Sequence, residues 1–272
     1  MTVTHPRACL SMLSAWNWSI DETLDFFDRE GVRCIGAAFA KLEASRDPIE
    51  NAAKIRARGY RVANLIGLGR FELSRPETWD KQRQRMQLAL DAAETLAAEC
   101  LILTTGPARQ LTWEDAADRY ADAMGPVLPD AARRGVRIAL EHTVSLRADV
   151  GFVHTLHDTI DLARRLGIGV CMEIQACWDE RGLADTITNG IDTITIMQVS
   201  DYRLETHNAP NRVVPGDGDI PIERIVGQVL AAGYPGVFDL ELLGPEIERE
   251  GYESACTRSL VYLSDLLKRL GA

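Results

Sequence analysis

Four polar side chains sit late in otherwise apolar runs of this sequence. They are Glu141 in Ile138-Ala-Leu-Glu-His, Glu173 in Val170-Cys-Met-Glu-Ile, Gln198 in Ile196-Met-Gln-Val-Ser-Asp and Glu241 in Phe238-Asp-Leu-Glu-Leu. A carboxylate inside a buried run is costly unless it is paired or bound to a cation. Three carboxylates converging on one spot repel one another, and a hard divalent cation resolves that repulsion. Carboxylate and amide oxygens suit Mg2+ or Mn2+. One such Glu at a strand end reads equally well as a surface or salt-bridged residue. Three with a Gln, at equivalent places in four successive runs, point to one divalent-metal site built from Glu141, Glu173, Gln198 and Glu241.

Other residues invite a sharper and a plainer reading. His142 follows Glu141, so strand alternation turns it away from the face that Glu141 occupies. Packing behind the site is the plainer role, and contact with a substrate the sharper one. His207 falls in the loop after 193–199 and is placed either at the mouth or in solvent. Trp16 and Trp18 follow the first apolar run, where an aromatic face either walls a sugar pocket or packs a loop. His154 and His157, three apart on an expected helix, have ligand-like spacing but belong to an outer surface. The run Pro215-Gly-Asp-Gly-Asp lacks the twelve-residue pattern of a calcium loop and reads as a turn. Of the six cysteines, Cys9, Cys34, Cys100 and Cys171 lie in expected strands and read as reduced packing residues. Cys177, just past a strand, is the one candidate for reactivity, with no His or Cys partner adjacent in sequence.

These side chains need a scaffold that ends its strands together. Short apolar runs at 8–14, 34–40, 61–65, 100–105, 136–141, 168–174, 193–199 and 236–242 alternate with helical patterns. The later runs are almost continuously apolar, as parallel strands covered on both faces are. Ser19-Ile-Asp-Glu offers a capping box. Helices are expected over 76–99, 112–134, 154–166, 221–232 and 253–269, on residue type and on apolar spacing of three and four. Gly31, Gly59, Gly135, Gly167 and Gly233 each stand between a helical pattern and a strand, where a left-handed cap falls. Eight strand–helix units over 272 residues, about 34 residues each, fit a single (β/α)8 TIM barrel spanning 1–272. In such a barrel the active site lies at the C-terminal ends of the strands. A doubly wound sheet would carry a G-x-G-x-x-G turn after the first strand, and none is present.

Composition narrows the partners. Apolar residues make up 46% and charged residues 26%, with a net charge of −10. Phosphate backbones are bound by clustered Lys and Arg, so nucleic acid is disfavoured, and so is an anionic membrane surface. No apolar run reaches the roughly 18 residues of a membrane span. The start, Met1-Thr-Val-Thr-His-Pro-Arg, lacks a signal-peptide core, so a cytoplasmic location is expected. Self-association into a homo-oligomer is left open.

The set Glu141, Glu173, Gln198 and Glu241 resembles the metal ligands of the sugar phosphate isomerase/epimerase superfamily, the xylose-isomerase-like TIM barrels. The segment Asn211-Arg-Val-Val-Pro-Gly-Asp-Gly-Asp-Ile-Pro is similar to that family's N-R-x-x-P-G-x-G-x-I stretch after the seventh strand. The likeness is firmest from 136 to 242. It implies one divalent ion held by Glu141, Glu173, the residue at 198 and Glu241, with Gln198 standing where His is usual. Neutral amide oxygen there favours Mn2+ or Mg2+ over Zn2+. Ala176 stands where relatives often have a His. Asp201 and Arg212 match places that face substrate in relatives. The implied chemistry is isomerisation or epimerisation of a sugar or sugar-like polyol through an enediolate, with Glu141 and Glu241 moving the carbon proton and Arg212 holding a substrate oxygen or anion. Ala176 and Gln198 lean toward a lyase or dehydratase on the same scaffold, acting by β-elimination. A metal-dependent apurinic-site endonuclease would need more than the five His present and a basic face. A barrel that binds a ligand without catalysis is the remaining alternative.

Overall fold

The computed structural model describes residues 4–45 and 47–272. Residues 1–3, part of the start read as lacking a signal-peptide core, lie outside the described residues. The elements are β1 (Ala8–Ser11), α1 (Ile20–Glu30), β2 (Cys34–Ala38), α2 (Phe39–Ser45), α3 (Pro48–Ala57), β3 (Arg61–Leu68), α4 (Trp79–Leu96), β4 (Leu101–Leu103), α5 (Trp113–Met124), α6 (Val127–Arg134), β5 (Ile138–Glu141), α7 (Leu156–Leu166), β6 (Gly169–Glu173), α8 (Ile174–Cys177), α9 (Leu183–Gly190), β7 (Ile194–Val199), α10 (Ile222–Ala231), β8 (Phe238–Leu240), α11 (Pro245–Glu250) and α12 (Tyr252–Arg269). All eight strands pair in parallel with their neighbours, and β8 returns to β1 to close the barrel. This is the expected (β/α)8 TIM barrel. Among the described residues no helix is long and apolar enough to cross a membrane.

Local chemistry sets the boundaries. The Ser19 hydroxyl accepts from Glu22 N–H at 3.2 Å, and the Glu22 carboxylate accepts from Ser19 N–H at 2.8 Å, completing the capping box that starts α1. Gly31, Gly135 and Gly167 end their helices in the left-handed region, with φ of 72°, 71° and 67°. The helix expected over 112–134 is two helices. Gly125 and Pro126 interrupt it, because proline has no N–H to continue the ladder. His154 is not on a helix: Thr155 caps α7, its hydroxyl accepting from Asp158 N–H, so His154 precedes the first turn. The strands are mostly shorter than the apolar runs. β1 ends at Ser11 because the chain turns into a 3-10 segment, Met12–Ala15, and β8 keeps three of its seven expected residues. Helix α3 is the helical pattern expected before Gly59, whereas α2, α8, α9 and α11 answer to no pattern named in the sequence.

The strand register sets which side chains share a level. Glu141 pairs with Cys171, two residues before Glu173. Glu173 pairs directly with Gln198. Gln198 pairs with Asp239, two residues before Glu241. The advance across three strand junctions is therefore two, nothing and two. A barrel of eight tilted strands with a shear of about eight advances one residue per strand on average, and only alternate residues face inward. Steps of nothing and two are how that average is met, and they bring the four side chains to one layer.

Candidate active site at the C-terminal mouth

Glu141, Glu173 and Glu241 are 9%, 2% and 4% exposed, and Gln198 is wholly buried. One carboxylate oxygen from each of the three glutamates lies within 4.8 Å of the others. They form the floor of a cavity of about 720 Å3, whose walls include Trp16, Ile66, Arg70, Thr104 and Arg147. Arg212, from the segment after β7, reaches across this floor. Its guanidinium donates to Glu241 Oε1 at 2.8 Å, to Glu173 Oε2 at 2.7 Å and to Gln175 Oε1 at 3.2 Å. Arg212, expected to meet a substrate, thus spends its donors on the carboxylates. Arginine suits this place because its planar fork addresses two carboxylates at once. Glu173 is held further by Gln175 N–H at 2.9 Å.

Gln198 donates its amide N–H to Glu241, while its oxygen receives the Cys171 thiol at 3.2 Å. In this orientation it fixes Glu241 and keeps its own oxygen away from the carboxylate cluster. Glu141 differs from the other two: it makes no hydrogen bond or ion pair with another described side chain. Burial, with repulsion from Glu241 and Glu173, pushes its carboxyl well above the ordinary carboxylate range. Burial raises Glu173 as well, against the lowering pull of Arg212. Below Glu241 on the same face of β8, burial lifts Asp239 to about 7, although Cys9 and Asn64 hydrogen-bond to it. Asn64 donates to Asp239 Oδ2 at 2.8 Å.

Three oxygen donors this close, with one arginine between them, carry a formal charge of −2. That donor set fits a hard divalent cation.

The remaining expected residues divide. Trp16 is 47% exposed and walls the cavity, whereas Trp18 packs edge-on against Phe26 and Tyr252, with ring centres 5.5 and 5.4 Å away. His142 touches the cavity wall and is fully buried, with neither ring nitrogen partnered. Burial drives its pKa down to about 3. The expectation for Asp201 is revised. Its carboxylate accepts from the backbone N–H groups of Tyr202, Gly216, Gly218 and Ile220 at 2.8–3.0 Å, so it organises the loop after β7 rather than lining the cavity. His207 is exposed on that loop and is not among the residues lining the cavity. Gln175, Asn64, Asp239, Ser14 and the rim arginines join the site only through the fold. Ser14 Oγ donates to Leu240 O and accepts from Leu242 N–H, both at 2.9 Å, and so ties the end of β8 to the loop after β1.

A closed barrel with its ionisable side chains gathered at the C-terminal mouth defines the class of protein: a TIM barrel built as enzymes of that fold are built. Residues 19–259 match the family described as xylose isomerase-like TIM barrel, and the chain belongs to that family. It is 26% identical over 215 residues to a 3-dehydroshikimate dehydratase of Pseudomonas aeruginosa, covering 72% of this chain and 32% of that one. The chain thus spans about a third of the length of that curated relative. Two solved structures share the fold: the IolI protein with a bound zinc atom, at a TM-score of 0.82 and 15% identity over 97% of this chain and 99% of that one, and an L-ribulose 3-epimerase, at a TM-score of 0.78 and 17% identity over 97% and 95%.

Proposed function

We propose that the chain is a divalent-metal-dependent enzyme that takes a proton from carbon beside a carbonyl in a sugar or sugar-like polyol, and so isomerises or epimerises it. The convergence of Glu141, Glu173 and Glu241, within 4.8 Å of one another on the floor of the cavity, carries this reading. These three side chains would hold the ion, and the all-oxygen set favours Mn2+ or Mg2+ over Zn2+. When bound, the ion supplies Lewis acidity toward the substrate carbonyl. Glu141, free of other partners, accepts the carbon proton, general-base work worth about 10²–10⁴-fold. Glu241 stands across the floor and returns a proton from the other side. Arg212 keeps Glu173 and Glu241 in place, Gln198 keeps Glu241 in its rotamer, and Trp16 offers an aromatic face to sugar C–H groups. The test is proton exchange into candidate keto-sugars in D2O with Mn2+ present. Exchange should fall about 10²–10⁴-fold in Glu141→Gln and in Glu241→Gln while melting temperatures hold. Undiminished exchange in both folded variants would refute the assignment.

A second reading, dehydration by β-elimination, is supported by the inequality of the two glutamates. Glu241 is tied by Arg212 and Gln198, whereas Glu141 is free. Elimination needs one base where two-faced epimerisation needs two. Arg70 lines the cavity with no carboxylate of the described residues within 4.0 Å, which suits an anionic, oxidised substrate. The likeness to a dehydratase agrees with this. Loss of water from the product, read by mass, separates the two outcomes.

A further inference from the structure

We propose a second metal site beside the carboxylate cluster, in which His142, Cys177 and Glu180 hold a zinc-class cation. The three residues come from two neighbouring strand ends. His142 follows the last residue of β5, Cys177 ends α8 just beyond β6, and Glu180 stands three residues further on. A ring nitrogen of His142, the Cys177 sulfur and a carboxylate oxygen of Glu180 lie within 4.8 Å of one another. Nothing adjacent in sequence offered Cys177 a partner; the fold supplies one.

His142 is the independent observation. It is 0% exposed, and neither ring nitrogen has a hydrogen-bond partner. A neutral imidazole carries one donor and one acceptor, and burying both unmet is costly. A cation on one nitrogen meets that need directly. Cys177 is buried too, and its thiol hydrogen-bonds to the carbonyl oxygens of Glu173 and Ile174, at 3.4 and 3.9 Å. Glu180 is fixed by the Leu156 N–H, which donates to its Oε1 at 2.6 Å at the start of α7.

The donor set identifies the cation. One nitrogen, one sulfur and one oxygen suit zinc, whereas the all-oxygen cluster next door suits a harder ion. With zinc–sulfur near 2.3 Å and zinc–nitrogen near 2.0–2.1 Å, tetrahedral ligand atoms stand roughly 3.3–3.8 Å apart, a small approach from the present spacing. Charge balances. Neutral imidazole, thiolate and carboxylate offset the two positive charges, and the Cys177 thiol proton leaves to solvent as the metal–sulfur bond forms. Water fills the fourth place. Because His142 adjoins Glu141, an occupied site pins the end of β5 and with it the free carboxylate.

The full chain, stripped by a chelator and titrated with Co2+, gives the test. A thiolate-to-cobalt charge-transfer band should appear, with proton release, and should vanish in Cys177→Ser. It should persist in Cys171→Ser, whose sulfur lies inside the barrel against Gln198. Oxygen ligands give no such band, so this readout is independent of the carboxylate site. Absence of the band in the unaltered chain, or its survival in Cys177→Ser, overturns the proposal. Zinc K-edge absorption of the unaltered chain needs no variant to fold: a sulfur scatterer near 2.3 Å is expected, and a shell without sulfur overturns the site.

Discussion

Arg212 stands between two carboxylates that would otherwise face each other unscreened. Removing one partner of a buried ionic network leaves the other charges uncompensated, at about 3–5 kcal/mol. Arg212→Met should therefore lower stability by about that amount in chelator. Because an ion at the three glutamates answers the same repulsion, saturating Mn2+ should restore much of the loss. Thermal melts with and without Mn2+ check this, and a loss that Mn2+ leaves untouched would separate the arginine from the ion. Gln198 makes a different prediction. It donates to Glu241 and turns its oxygen toward Cys171, so Gln198→His should weaken Mn2+ binding without changing the order of metals. A marked rise in zinc preference would place residue 198 directly on the ion, since imidazole is a good zinc ligand.

At the scale of elements, the mouth depends on close backbone passages that side chains would block. Gly69, φ 115°, follows β3; an added Cβ would lie 1.8 Å from Thr104 O. Gly59, φ 79°, has nothing within 4 Å of the same addition. Gly59→Ala should cost about 1–2 kcal/mol, the left-handed penalty alone, and Gly69→Ala clearly more, as the difference between their urea midpoints would show. The repeat of strand and helix was legible because its signals are local: apolar runs, a capping box, glycine caps. The three strand-end glutamates were legible because each broke an apolar run. Asp239 breaks the same run as Glu241, but its role comes from the closed barrel, which sets it facing Asn64 with Gly36 leaving room between them. The loop-building role of Asp201 was hidden because its partners are backbone amides up to nineteen residues on. The break at Gly125-Pro126, by contrast, was written in the sequence as a breaker pair.

For the whole molecule, Lys41 is an unusual charge. It is 7% exposed in α2, and its ammonium donates to Ala15 O at 2.7 Å and Trp18 O at 2.5 Å, clamping the loop that carries Trp16. Burial lowers its pKa from 10.5 to about 8, with Glu22 pulling the other way. The folded value lies below the unfolded one, so the stability it contributes is full above about 10.5 and is lost as pH falls through about 8. Unfolding free energy of the unaltered chain, minus that of Lys41→Met, should therefore rise between about pH 8 and pH 10. A flat difference across that window would contradict the shift.

The side chains on the cavity floor all come from the second half of the chain, on β5 and β6, just past β8 and in the segment after β7, whereas the wall draws on both halves, with Trp16, Ile66, Arg70 and Thr104 from the first and Arg147 from the second. Around the barrel the two halves meet through β4–β5 and β8–β1, and inside it Asn64 of the first half reaches Asp239 of the second. Reaction thus belongs to one stretch of polypeptide, whereas recognition draws on both. Substitutions in the first-half wall can redirect recognition while the floor is kept, but exchanging the whole first half would also break the Asn64–Asp239 and Ser14–Leu242 hydrogen bonds that hold the strand leading to Glu241.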